Sequence, residues 1–133
     1  MSMKGATGTR MNTEIKTMWV EALRSGQYKQ GSGHLNLDGK FCCLGVLCDL
    51  AVKAGGVVKD VVDNGVDTDN ITSYDGQSMV LPQSVMDWAG LTSDNPEVVF
   101  VESVGAIYED GIAWFNDNEF SFETLSDFIE EQL

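Results

Sequence analysis

The stretch Cys42-Cys43-Leu44-Gly45-Val46-Leu47-Cys48-Asp49-Leu50-Ala51-Val52-Lys53-Ala54-Gly55 is apolar at helical spacing and runs into the glycine pair Gly55-Gly56. Leu44, Leu47, Cys48 and Ala51 recur at i, i+3, i+4 and i+7, and Cys43, Val46 and Leu50 form a second apolar stripe beside them. Only Gly45, Asp49 and Lys53 leave a wettable strip. A helix apolar over most of its circumference needs cover on at least two sides. The spacing therefore predicts a buried central helix, with the rest of the chain as its cover.

Immediately upstream, Tyr28 to Phe41 reads as short strands broken by Gly31-Ser32-Gly33 and by a turn at Asp38-Gly39. A three-residue loop with Gly39 in a left-handed bulge sets Leu35 opposite Phe41 and Asn36 opposite Lys40. A two-residue loop pairs Leu37 with Lys40 and mixes apolar with charged, so the bulged form is expected. Lys40, Phe41 and Cys42 then sit at a strand-to-helix junction, where backbone amides attract anions. Further upstream, Asn12 or Thr13 caps a helix with Ile15, Met18, Trp19, Ala22 and Leu23 inward, Arg24 in its last turn and Gly26 at its stop.

Downstream, residues 56–80 form a Val-, Asp-, Asn- and Gly-rich excursion, with Val57-Val58 and Val61-Val62 as strand fragments of a variable loop or hairpin. Asp67, Asp69 and Asp75 lack the glycine and glutamate offsets of a calcium loop and read as solvated acids. Pro82 and Gly90 bracket a short helix with Val85, Trp88 and Ala89 inward. Strands are expected at Val98–Val101 and Val104–Tyr108, with a reversal at Asp110-Gly111. Ile112 to Phe115 is ambiguous between strand and helical turn. Ser121 caps a final helix that turns Phe122, Leu125, Phe128 and Ile129 inward. The expected fold class is α+β: a flexible tail at 1–10, then one small domain at 11–133. In it a buried central helix and the N- and C-terminal amphipathic helices pack on short antiparallel β-hairpins.

The 133 residues suffice for one core without staples. Nothing approaches the ~20 consecutive apolar residues of a membrane span, and the first ten residues do not resemble a secretory signal. Cys42, Cys43 and Cys48 are an odd set within seven positions, and His34 is the single histidine, so neither a disulfide framework nor a zinc site is expected. They read as reduced core thiols in a reducing cytoplasm, with a redox or nucleophilic role as the alternative. Charge is divided sharply. Residues 1–59 carry eight bases and four acids, net +4, and residues 60–133 carry seventeen acids and no base, which together give −13. The acids are either a solvated face or a field that discourages nucleic acid.

Phosphate loops, nucleophile elbows and metal-binding His pairs are absent, and only Cys42 with His34 offers an imidazole beside a nucleophile. No catalytic residue, metal or cofactor is therefore assigned. The polar constellation that suits ligand recognition is Arg24, Ser25, Tyr28, Lys29, Gln30, His34 and Lys40, around one helix end, one glycine-rich turn and one helix start. Arg grips phosphate in a bidentate way, Lys adds a point charge and Tyr a stacking face. An ordinary solvated hairpin is the alternative. Asn116 and Asp117 either reach the same pocket or bond the backbone of a local turn. Asp49 is either an i, i+4 partner of Lys53 or a buried acceptor.

Four stretches together resemble a family of small uncharacterised proteins encoded by bacteriophages and prophages. They are Trp19 to Gly31, Phe41 to Leu50 with its Cys-Cys-Leu-Gly-Val-Leu-Cys-Asp core, Leu81-Pro82 with Trp88-Ala89-Gly90-Leu91, and Asn116-Asp117 with Ser121-Phe122 and Asp127. This sequence departs from the pattern over 56–80, and at Glu119-Phe120, where a glycine is expected after Asn116-Asp117. The resemblance implies a phage origin and action in the bacterial host cytoplasm. With the cationic hairpin it suggests a counter-defence protein that sequesters a small anionic, nucleotide-derived signal. The alternative is an acidic inhibitor of a host defence or nucleic-acid-processing protein. A homo-oligomer is compatible with either, while direct nucleic-acid or membrane binding is not expected.

Overall fold

Helix α2 (Cys43–Lys53) occupies the centre of the computed structural model, which describes residues 11–57, 59–63 and 70–133. The expected tail at 1–10 and the acids Asp67 and Asp69 lie outside the described residues. Every residue of α2 from Cys43 to Asp49 is buried, and so is Ala51. The anticipated wettable strip thus shrinks to Lys53. Gly45 is not solvated but pressed against the chain before the hairpin, where a Cβ would lie 1.7 Å from the Leu35 carbonyl oxygen. Asp49 is buried yet partnered: Tyr28 Oη donates to it at 2.5 Å and Lys53 Nζ lies 3.3 Å away.

Helix α1 (Thr13–Arg24) starts where Asn12 Oδ1 accepts from Ile15 N and is followed by Gly26 at φ +78. Its buried side is Ile15, Trp19, Val20 and Leu23, whereas Met18 is exposed. Trp19 sets this orientation, since its indole N–H donates to the buried Cys43 carbonyl at 2.9 Å. Helix α1 packs along α5 (Phe122–Gln132), whose inward residues are the expected Phe122, Leu125, Phe128 and Ile129 together with Ser126.

Strands β1 (Lys29–Gln30), β2 (Asn36–Leu37), β3 (Lys40–Phe41), β4 (Lys59–Asp63) and β5 (Asn70–Tyr74) form one sheet in the order β1-β3-β2-β5-β4. Only β1 and β3 run parallel. The β2–β3 loop has two residues, with Asn36 opposite Phe41 and Leu37 opposite Lys40, which corrects the bulged register. Asp38 and Gly39 both have positive φ, 55 and 79, the backbone of a primed turn whose twist matches the strands. Leu37 is not left unmatched, because β5 brings Ile71 to its other side. Residues 59–63 and 70–74 are paired residue for residue, so the described part of the excursion is a hairpin that extends the sheet.

Helix α3 (Gln83–Ala89) stops at Gly90, φ +76, with Leu91 N donating back to Met86 O. A separate ribbon follows, β6 (Glu97–Val101) antiparallel to β7 (Ile107–Gly111). The chain reverses where Glu102 N donates to Ala106 O, not at Asp110-Gly111. Gly111 serves close approach instead: a Cβ there would meet the Asn95 amide at 2.3 Å, and Asn95 Oδ1 accepts from Ala113 N. The chain passes directly into α4 (Ile112–Asp117), which resolves the ambiguous segment as helix. The molecule is one small α+β domain with helices packed on hairpins. Among the described residues no helix is long and apolar enough to cross a membrane.

Candidate functional site

Asn116, at the end of α4, is buried and uses its whole amide within the chain. Its Oδ1 accepts from Gln30 Nε2 at 3.0 Å and from Cys43 N at 3.1 Å. Its Nδ2 donates to Gly31 O at 2.8 Å and to Asp117 Oδ1 at 3.1 Å. Two donors and two acceptor positions exhaust a side-chain amide. Gln30 extends the network, donating to Phe120 O and accepting from Phe122 N, while Asp117 Oδ1 accepts from Gly33 N. Asn116 and Asp117 thus join the glycine-rich turn to the C-terminal segment across more than eighty residues, and Asn116 caps the first amide of α2 as well. They are therefore not a local turn, and the Asn116 amide is fully used within the chain.

This network floors a cleft of about 470 Å³ between residues 30–32 and 116–121. Its ionisable lining consists of Asp117 and Glu119, so the cleft repels an anion. The cations expected there are not among the residues that line it. Arg24 Nη2 grips Asp127 at 2.7 Å and Glu130 at 3.1 Å while its Nε donates to Ser126 Oγ, clamping α1 to α5. Ser25 donates to Ala22 O and accepts from Gln27 N, closing the helix end. Tyr28 belongs to Asp49 and Lys53 and stacks edge-on against Phe41 at 5.0 Å. Lys29 and Lys40 lie opposite each other on β1 and β3. The expected constellation is therefore split, with only Gln30, Asn116 and Asp117 lining the cleft. The split arises because Arg24, Ser25 and Tyr28 are drawn to partners of their own on α5, at the end of α1 and on α2.

His34, Cys42 and Asp117 line a smaller cavity of about 180 Å³. Burial pushes the Cys42 thiol up to about 11, and burial also raises Cys43 and Cys48 well above the ordinary thiol range. Such thiols remain protonated near neutral pH and are poor nucleophiles. His34 makes no side-chain hydrogen bond to Cys42 among the described residues.

The surface that sequence reading missed is the β6–β7 ribbon. Val101, Val104 and Ile107 are 58, 83 and 68% exposed, and Val99 is also exposed. Val99, Val101 and Ile107 share one face, because Val101 lies opposite Ile107 and Val99 opposite Glu109. Glu97 and Glu109 stand on the same face, both exposed. Gln132 caps β6 at Val99, accepting from its N–H at 2.8 Å and donating to its carbonyl at 2.9 Å. The outer edge of β7 has no strand beside it among the described residues. A signal was present: Val98-Val99-Phe100-Val101 is apolar on both faces, whereas a ribbon covered on one side alternates.

No curated protein and no solved structure matches the chain. The model of a family described as a domain of unknown function (DUF8296) matches residues 11–133, and the chain belongs to that family.

Proposed function

We propose that the protein is a non-enzymatic binding protein that docks its β6–β7 ribbon on a basic surface of another protein. In keeping with the phage resemblance, the partner is a host protein and the encounter takes place in the bacterial cytoplasm. The observation that carries this reading is the uncovered apolar face of Val99, Val101 and Ile107, with Val104 at the tip, inside an acidic arm. Apolar side chains clustered on a projecting ribbon are a feature of interaction sites. Residues 97–133 carry ten acids and no base, a field that steers and selects a basic partner. A second copy brings the same acids to the same face, so self-association there is opposed.

The double variant Val101→Ser with Ile107→Ser removes the apolar contact at two exposed positions. It is expected to leave stability within about 0.5 kcal/mol and to weaken docking roughly a hundredfold. Affinity capture from host bacteria, with identification of what is retained, reads this out. A partner with a basic surface, lost in the variant and released by salt, supports the reading. Equal capture by the variant, or an acidic partner, removes it.

A second reading retains one specific observation. Lys29 and Lys40 are in register on adjacent strands and both exposed, two cations that a small anion can bridge. Sequestration of a nucleotide-like anion would then occur on the sheet, away from the acidic cleft. Native mass spectrometry of the protein from signal-producing bacteria decides it. A retained mass lost in Lys29→Gln with Lys40→Gln supports sequestration, and a bare chain mass excludes a tightly held signal.

A further inference from the structure

The ribbon carries a second feature on its other face. Phe100 and Tyr108 are opposite in register and stack with ring centres 6.2 Å apart and 22° between planes. Trp114 of α4 stacks on Tyr108 at 6.2 Å and 18°, and Phe120 meets Phe100 edge-on at 5.1 Å. With Glu102 and Asn118 these rings line a cavity of about 210 Å³. Tyr108 and Trp114 are 39 and 38% exposed, so the aromatic wall is not sealed into the core. Asn118 already uses its amide N–H on the Trp114 carbonyl, at 2.8 Å, which leaves its oxygen as an acceptor.

We propose that this cavity receives the cationic head of a Lys or Arg side chain. The carrier of that cation is the docking partner, so the inference rests on the docking reading for the source of its ligand, though not for the chemistry of the cavity. Aromatic faces attract cations through their quadrupole, and Glu102 supplies a full negative charge beside them. An anion meets that carboxylate, and an uncharged apolar group covers it without a partner, so both are disfavoured. Pockets for drug-sized ligands run to about 300 Å³ and above, so this one suits a side-chain head and its last methylenes. The cavity and the apolar face lie on the two sides of one short hairpin, so a single partner covering the open edge of β7 meets both.

The test uses the full chain and two small probes, choline and arginine methyl ester, with the neutral carbon isostere of choline as the control. The indole N–H resonances of Trp19, Trp88 and Trp114 separate the cavity from the rest of the molecule in one NMR titration. Both cations are expected to shift Trp114 saturably and to leave Trp19 unmoved, with no effect of the neutral isostere. Glu102→Gln is expected to weaken the cations about fivefold, the value of one partly exposed ion pair. Equal shifts with the neutral isostere, or none with either cation, overturn the proposal. A cavity that ignores cations while the ribbon variant still loses its captured protein removes this inference and keeps docking. A cation-responsive cavity in a chain that captures nothing does the reverse.

Discussion

Glu119 sits at φ +72, a left-handed backbone that a branched or long side chain adopts only under strain. It lies two residues after Asp117, in a backbone conformation that glycine adopts without that strain. Glu119→Gly is expected to raise stability by about 0.5–1 kcal/mol, read as a higher urea midpoint with unchanged slope. A lower midpoint would mean that the Glu119 side chain holds the loop by a contact that outweighs the strain. Residue types of this region were legible, but their partners were not. The sequence singles out Asn116 as a polar candidate, yet the four hydrogen bonds of that side chain go to Gln30, Gly31, Cys43 and Asp117, and three of those lie more than seventy residues away. No local pattern encodes such a pairing.

At the scale of elements, helical periodicity located α1, α2 and α5, because an apolar stripe repeats over three turns and caps mark its ends. It misjudged Gly45, which has no side chain to weigh in the pattern and whose role depends on where Leu35 lies. Gly45→Ala forces its methyl group against the Leu35 carbonyl, so the hairpin must move off α2. The expected loss is about 3 kcal/mol or more, measured by chemical denaturation. A loss below about 1 kcal/mol would show that the hairpin does not rest on the helix. Short strands were the weaker part of the reading. Two residues per strand do not fix the β2–β3 register, because the neighbour that matches Leu37 is Ile71 of β5, more than thirty residues away.

For the whole molecule, the buried protonated groups set the pH range of stability. Burial pushes Cys42 up to about 11 and Tyr74 to about 12, from ordinary values of 9.0 and 10.0. Burial first, and then the hydrogen bond to Asp49, raises Tyr28 as well. A raised folded-state pKa means that the native chain holds these protons more tightly than the unfolded chain. Their contribution is complete below about pH 9 and fades as pH climbs through 11 and 12. Denaturation midpoints should therefore hold steady from pH 7 to about 8.5 and then fall, each such group adding a slope of about 1.4 kcal/mol per pH unit. A midpoint that rises above pH 9 would contradict this. The charge split was legible as a net of −17 after Lys59, but its meaning depended on where the acids stand. Around the cleft, Asp117 and Glu119 argue against an anion, and on the ribbon Glu97 and Glu109 frame an apolar face. The most direct test of docking places a photo-crosslinking residue at Ile107 and, as a control, at Ser73 on the sheet, in bacteria that carry the partner. A crosslink from position 107 to a protein with a basic surface, absent from position 73 and reduced by salt, is the expected result. Equal crosslinking from both positions, a crosslink at 107 only to a second copy of the chain, or none at 107 would contradict the docking role of the ribbon.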